Sequence, residues 1–198
     1  MSLYCVNLAF VQADEVIAAM VADPSTSEIV IAERDRGAWI LKGDRLHCIR
    51  TSALSHMIVV EDGKSTGARR NQAAAFSTAA IRADRWDFRS LGTTLSLPYL
   101  AAGRIAANVL FSISAVHSAA GSLLVTEAGD VPSDIDRQPW MIDSPTCSPA
   151  PVRSSTTIFW SWLPRGSGTP TYAGSATSTT IESGVSPRKT WREGSGTP

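Results

Sequence analysis

The chain has 198 residues, with 18 Lys plus Arg balanced by 18 Asp plus Glu and a formal net charge of zero. That length suits one medium domain or a domain with a tail, and the zero balance removes the basic field by which nucleic acid or an anionic membrane is engaged. Three scattered cysteines, Cys5, Cys48 and Cys147, without a C-x-x-C pair, exclude a disulfide framework and a cysteine zinc site and fit a reducing compartment.

The first stretch, MSLYCVNLAF, has no basic region, since the first Lys or Arg is Arg34. It does not read as a signal peptide, and the expected location is the cytoplasm. Tyr4 to Val11 alternates so that Tyr4, Val6, Leu8 and Phe10 share one face, the period of a half-buried strand. Val16 to Ala22 is a continuous apolar run and Glu28 to Glu33 a β-branched one, with ADPSTSE and its Pro24 as the turn between them. The spacing predicts a three-stranded antiparallel meander followed by a loop, GAWILKGDRL, opening at Gly37.

A strand is expected at Met57 to Val60 and an alanine-rich helix over ARRNQAAAFSTAAIRAD, although Arg69 and Arg70 stand at the end a helix dipole disfavours for cations. TLSLPYLAAG reads as a helix stopped by Gly103, IAANVLF as a strand, and SAVHSAAGSLLVTEAG as the next helix. Ile105 to Thr126 contains no charged residue and is long enough to span a bilayer, but Asn108, His117 and four serines favour a strand and a buried helix instead. Alternating strands and helices make the class α/β or α+β, in layers.

The stretch RSLGTTLSLPYLAAGRIAANVLFSISAVHSAAGSLLVTEAGDVPSDIDRQPW resembles the C-terminal half of the inositol monophosphatase family. There a Gly-Ser/Thr-Ala-rich loop opens a helix, an Ala-Ala-Gly-Arg turn follows, and a Trp-Asp-x-Ala-Ala-Gly helix ends in Glu-Ala-Gly before an Asp-rich hairpin. Upstream, VNLAFVQADEVIAAMVADPSTSEIVIAERDRGAWILKGDRL is similar to the family's middle strands. The resemblance covers Tyr4 to about Pro145 and implies a layered αβαβα fold, partial here. It also implies magnesium-dependent hydrolysis of a phosphate monoester, a phosphorylated small molecule being the partner. Mg²⁺ is a hard cation that wants oxygen ligands in near-octahedral array, and two or three such ions polarise the phosphoryl group and activate the attacking water.

In the family most of those ligands come from an early Glu and an Asp-Pro-Ile/Leu-Asp-Gly-Thr loop, and neither motif occurs in this chain. Asp23-Pro24-Ser25 lacks the second Asp, the Gly and the Thr and reads as turn chemistry. The expectation is therefore a domain over 1–147 that is N-terminally truncated relative to the family. Beyond it, 148–198 is a Ser/Thr/Gly/Pro-rich segment in which GSGTP occurs twice, expected to be disordered. Such a chain would be an inactive hydrolase remnant, a pseudoenzyme that does not itself bind Mg²⁺. The alternatives are a non-catalytic binding or homodimerisation module and a phosphatase completed by another chain.

Two candidate sites follow from the resemblance. His117 takes the position of the family's metal-ligating Asp, with Val116 in place of the Trp. It has two readings, a metal ligand better suited to Zn²⁺ or Mn²⁺ than to Mg²⁺, and a helix-start histidine with a local hydrogen bond. Gly92, Thr93 and Thr94 form the substrate-side loop, whose amides at a helix start suit an anion or an ordinary cap. The family's acid that contacts substrate hydroxyls falls at about Leu110, which cannot accept a hydrogen bond. Gly63-Lys64-Ser65-Thr66 lacks the first glycine of a phosphate loop. Glu127 reads as the structural acid of the Glu-Ala-Gly turn and Asp136 as a hairpin residue, and His47 and His56 have no companion ligands at useful spacing.

Overall fold

The computed structural model describes residues 3–52, 54–62, 67–134 and 140, and the backbone of 155–160, 171–172 and 179–180. Five strands open the chain, β1 (Val6–Gln12), β2 (Glu15–Asp23), β3 (Glu28–Glu33), β4 (Gly37–Lys42) and β5 (Arg45–Ile49), paired in that order as one antiparallel meander. The expected three strands are there, and the expected Gly37 loop is instead the β4–β5 hairpin. The reason is period two: Ala38 and Ile40 point inward and are buried, while Trp39 and Leu41 alternate with them. Gly43, at φ +57, opens the two-residue connection between Lys42 and Arg45, a position that needs a left-handed backbone.

The second half builds β6 (Met57–Glu61), α1 (Gly67–Arg82), β7 (Asp87–Arg89), α2 (Ser96–Ala101), β8 (Ala107–Ile113), α3 (Ala115–Glu127), β9 (Ser133–Asp134) and β10 (Ser155–Trp160). Its sheet runs β7-β6-β8-β10-β9, parallel between β6 and both β7 and β8, antiparallel at β10. Strand β10 falls inside the segment whose composition predicts a disordered tail. The rest of that expectation lies outside the described residues, apart from the short pair β11 (Thr171–Tyr172) and β12 (Thr179–Thr180). Gly63–Thr66 and Asp136 also lie outside them.

Alternation along the strands assembles the layers. Val16, Val21, Val30, Ala38 and Ile40 of the first sheet meet Leu97, Leu100, Leu123 and Leu124 of α2 and α3 in one core. Val59 and Leu110 close that core from the second sheet. The neighbouring residues Val60, Val109 and Phe111 point the other way, onto Ala73 and Phe76 of α1. The described residues thus stack as sheet, helix pair, sheet, helix, four successive layers of the αβαβα order.

The far side of the first sheet is open among the described residues. Across its strands the register aligns Leu8, Met20, Ile31, Trp39 and Cys48 in one row. Val6, Ala22, Ile29, Leu41 and Leu46 form the next. Val6, Leu8 and Phe10 on the edge strand are 49%, 56% and 62% exposed.

Gly103 ends α2 as expected, at φ +68. Its N–H donates to Leu100 and the N–H of Arg104 to Tyr99, the paired bonds of a left-handed helix stop. A Cβ on Gly103 would also stand 2.7 Å from Ser52 Cβ, so two independent constraints select glycine. Below that stop, buried acids clasp the first sheet to α2. Arg104 Nη1 pairs with Glu28 Oε2 at 2.7 Å and Lys42 Nζ reaches Oε1 at 3.2 Å. The Arg104 hydrogen bond, against the upward push of burial, holds the Glu28 carboxyl below its usual range. Burial pushes the Asp23 carboxyl up, but hydrogen bonds from Ser25 and the Tyr99 hydroxyl outweigh it and lower it. Burial and Asp23 together push Tyr99 up to about 12. Asp23-Pro24-Ser25 is therefore the turn its sequence predicts, and its acid also anchors α2 through Tyr99.

Asp130, just beyond α3, behaves oppositely. Burial pushes its carboxyl up to about 6, only partly offset by the Val131 N–H, which donates to Oδ1 at 2.9 Å. A carboxyl that titrates higher in the folded than in the unfolded chain stabilises the fold below about pH 4, and that contribution is lost as pH rises through about 6. Asp130→Asn keeps the acceptor and removes the charge. It is expected to raise unfolding free energy at pH 7.5 by roughly 1–3 kcal/mol, with no gain at pH 4, measured by urea denaturation. An equal effect at both pH values would refute the assignment.

Candidate functional site

Three chain segments converge where α2 and α3 begin. Strand β8 delivers Ser114, extended at φ −86 and ψ 155, as the residue that opens α3. Its hydroxyl shares a 2.6 Å hydrogen bond with His117 Nδ1, and its carbonyl accepts from the His117 N–H at 3.0 Å. His117 is exposed, on the first turn of the helix, in the local arrangement that its second sequence reading describes. From the inner side of β1, Asn7 Nδ2 donates to the His117 carbonyl at 3.2 Å, and its buried Oδ1 has no hydrogen-bond partner. Two residues earlier, Cys5 Sγ and Thr94 Oγ1 lie 3.2 Å apart, so the edge strand is fastened to both helix starts.

The loop before α2 is held from within. Glu61, at the end of β6 and 9% exposed, accepts from Leu91 N at 2.6 Å and Gly92 N at 2.9 Å through Oε1, and from Ser90 Oγ through Oε2. The Gly92 amide, expected to face an anion, faces this carboxylate. Thr93 accepts from Leu95 N and, through its carbonyl, from Ser96 Oγ, while the Thr94 carbonyl accepts from Leu97 N. The two threonines thus act as the opening turn of α2. Glu61 escaped sequence reasoning. Its only local signal is an acid closing the run MIVVE next to Asp62, and its partners lie about thirty residues on.

The remaining candidates are placed plainly. Leu110 is 1% exposed in the core of β8. Glu127 receives Asp35 N at 2.9 Å on one oxygen and Gly37 N at 2.8 Å on the other, the structural acid its turn predicts. His47 on β5 and His56 before β6 are both exposed. A cavity of about 290 Å³ lies at the opposite end of α3, lined by Glu15, Arg34, Thr126, Glu127, Pro132 and Trp140 among others. Arg34 there is already paired with Glu15 at 2.9 Å and with the Val16 carbonyl.

Among the described residues no three His, Cys, Asp or Glu side chains are grouped to hold a metal. The groups linked at the α2 and α3 starts are a thiol, hydroxyls, an amide and an imidazole, and the one carboxylate beside them, Glu61, is taken up by the loop amides. That donor set does not fit Mg²⁺. Also among the described residues, no helix is long and apolar enough to cross a membrane.

Two sheets interleaved with helices, with helix starts converging on one corner, define a layered α/β protein. The chain belongs to the inositol monophosphatase family, whose model matches residues 2–157. It is 28% identical over 134 residues to an inositol-1-monophosphatase of Rhizobium meliloti, covering 67% of this chain and 50% of that one. A second, from Mesorhizobium japonicum, is 28% identical over 143 residues, covering 72% and 53%. The solved IMPase of Thermotoga maritima superposes with a TM-score of 0.61 at 24% identity, over 79% of this chain and 55% of that one. The chain therefore spans about half the length of the curated relatives it matches, and the likeness to the solved structure speaks for the fold.

Proposed function

We propose that the chain carries the second half of a magnesium-dependent phosphate-monoester phosphatase fold and is catalytically silent by itself. The observation that carries this reading is the α3 start: His117, bonded to Ser114, stands where the resemblance implies a metal-ligating Asp. The lineage's partner is a phosphorylated small molecule, as the names of the two curated relatives suggest. Glu61 supports the same reading from the substrate side, because a carboxylate already occupies the loop amides that would meet an anion. The test is phosphate release by the purified chain with Mg²⁺, with and without a chelator.

A second reading, a non-catalytic module that forms a homodimer in the cytoplasm, is favoured by the open apolar side of the first sheet. Both readings share the fold and differ in what the chain contacts. Phosphate release separates them from an active enzyme, and the oligomeric state separates them from each other.

A further inference from the structure

The hydrogen bond between Ser114 Oγ and His117 Nδ1 sets a hydroxyl 2.6 Å from a base. That is the short end of the range within which an imidazole can take the proton of a nucleophile. Ser114 opens α3, yet its side chain makes no cap to the helix. An N-cap serine ordinarily offers its oxygen to an amide of the first turn, so here the hydroxyl is committed to the ring instead. The first amides of a helix have no partner within it, which sets those of Ala115 and Val116 beside Oγ as donors for an oxygen that gains charge. Asn7 steadies the turn from β1, its Nδ2 donating to the His117 carbonyl at 3.2 Å. Among the described residues the corner is open: His117 is exposed, Ser114 half-buried, and Val116, between them in sequence, 82% exposed.

We propose that Ser114 is a site of covalent acylation, with His117 as its general base and an activated carboxylic ester as the acyl donor. In the ring tautomer that carries its proton on Nε2, Nδ1 accepts the hydroxyl proton while Oγ attacks the carbonyl carbon. The C–O bond to the leaving group then breaks, the proton passes from Nδ1 to the departing oxygen, and the acyl group stays on Oγ as an ester. A carboxylic ester suits the corner better than a phosphate monoester does. It is neutral, so it needs no cation to approach, and its apolar part can lie on the exposed Val116. The inference goes beyond the phosphatase reading and does not rest on it: phosphate hydrolysis and acylation of Ser114 involve different substrates and different products.

The full 198-residue chain, incubated with p-nitrophenyl acetate, is expected to gain an acetyl group on Ser114, located by peptide mass spectrometry, as p-nitrophenolate is released. Ser114→Ala should lose that label. His117→Gln keeps the hydroxyl and should slow the labelling about 100-fold, the low end of what a positioned base supplies. His47→Gln removes another exposed histidine and should change nothing. The side chains of Ser114 and His117 both reach solvent, so circular dichroism should show the variants folded. If one unfolds, the wild-type chain still decides: in urea it keeps every nucleophile but loses the pair, and labelling of Ser114 should fall by the same factor of about 100. Absence of acetyl on Ser114 would overturn the proposal, as would label confined to lysines, or label on Ser114 that forms equally fast in His117→Gln or in urea. Release of p-nitrophenolate by Ser114→Ala at the wild-type rate would do the same, since a free imidazole would then account for it.

Discussion

Incubated with Mg²⁺ and inositol phosphate, histidinol phosphate or an aryl phosphate, the purified chain is expected to release phosphate no faster than buffer. Phosphate monoesters are among the slowest substrates to hydrolyse unaided, and enzymes supply up to about 10²¹-fold on them. Metal ions carry much of that by activating water and screening the developing charge. The groups joined at the helix starts are Cys5, Asn7, Thr94, Ser114 and His117, and none is an anionic oxygen. His117→Asp is expected to leave activity at background, because one carboxylate cannot hold two or three divalent ions. The same change should raise stability by about 0.3–1 kcal/mol, since a negative charge suits the first turn of a helix. A variant more stable yet silent separates folding from chemistry. Turnover abolished by EDTA in the wild-type chain, or recovered by His117→Asp alone, would show that the carboxylates act from positions other than those assigned.

Gly121→Ala is expected to destabilise the fold by about 3 kcal/mol, a large share of the 5–15 kcal/mol typical of a domain. Gly121 lies on the side of α3 that meets α2, and a Cβ there would stand 2.5 Å from Leu97 Cβ and 2.8 Å from its Cγ. The Leu97 Cβ cannot swing aside as a side-chain tip can, so the two helices must part. Leu97 and its neighbours Leu95 and Leu100 are almost wholly buried, and any parting opens the core to both sheets. Urea denaturation of Gly121→Ala, Leu97→Ala and the double variant gives the coupling. The double should be more stable than the sum of the singles by over 1 kcal/mol. A loss below 1 kcal/mol in Gly121→Ala would mean that the helices yield easily.

What could be read from the chain and what could not divide along the range of the signal. Strand β1 announces itself by local alternation, β2 and β3 by an apolar and a β-branched run on either side of the turn at Pro24, and the stop of α2 by Gly103. The β4–β5 hairpin was hidden because both of its faces are apolar, so that the run AWIL between two glycines shows no polar alternation. Strand β7 is three residues long, too short for a period. The acids that hold the molecule together were the least legible, since each acts across a register that only the folded sheet defines: Glu28 with Arg104, Asp23 with Tyr99, Glu61 with Gly92, Glu127 with Gly37. Of these only Glu127 was anticipated, through the Glu-Ala-Gly motif. At the candidate site the sequence identified His117 and the Gly92 loop, but Cys5 and Asn7, some ninety and more residues away, enter only through the fold.

Helix α3 has no outward side over Ser118 to Val125, where all eight residues are buried between one sheet and the other. Most surface helices have a face on which substitutions drift without consequence; this one has none. Its alanines, serines and glycine are set by the narrow space between two layers, each of which vetoes a larger side chain on its own flank. A larger side chain anywhere from Ser118 to Val125 is accordingly expected to be tolerated only when a neighbouring layer changes with it.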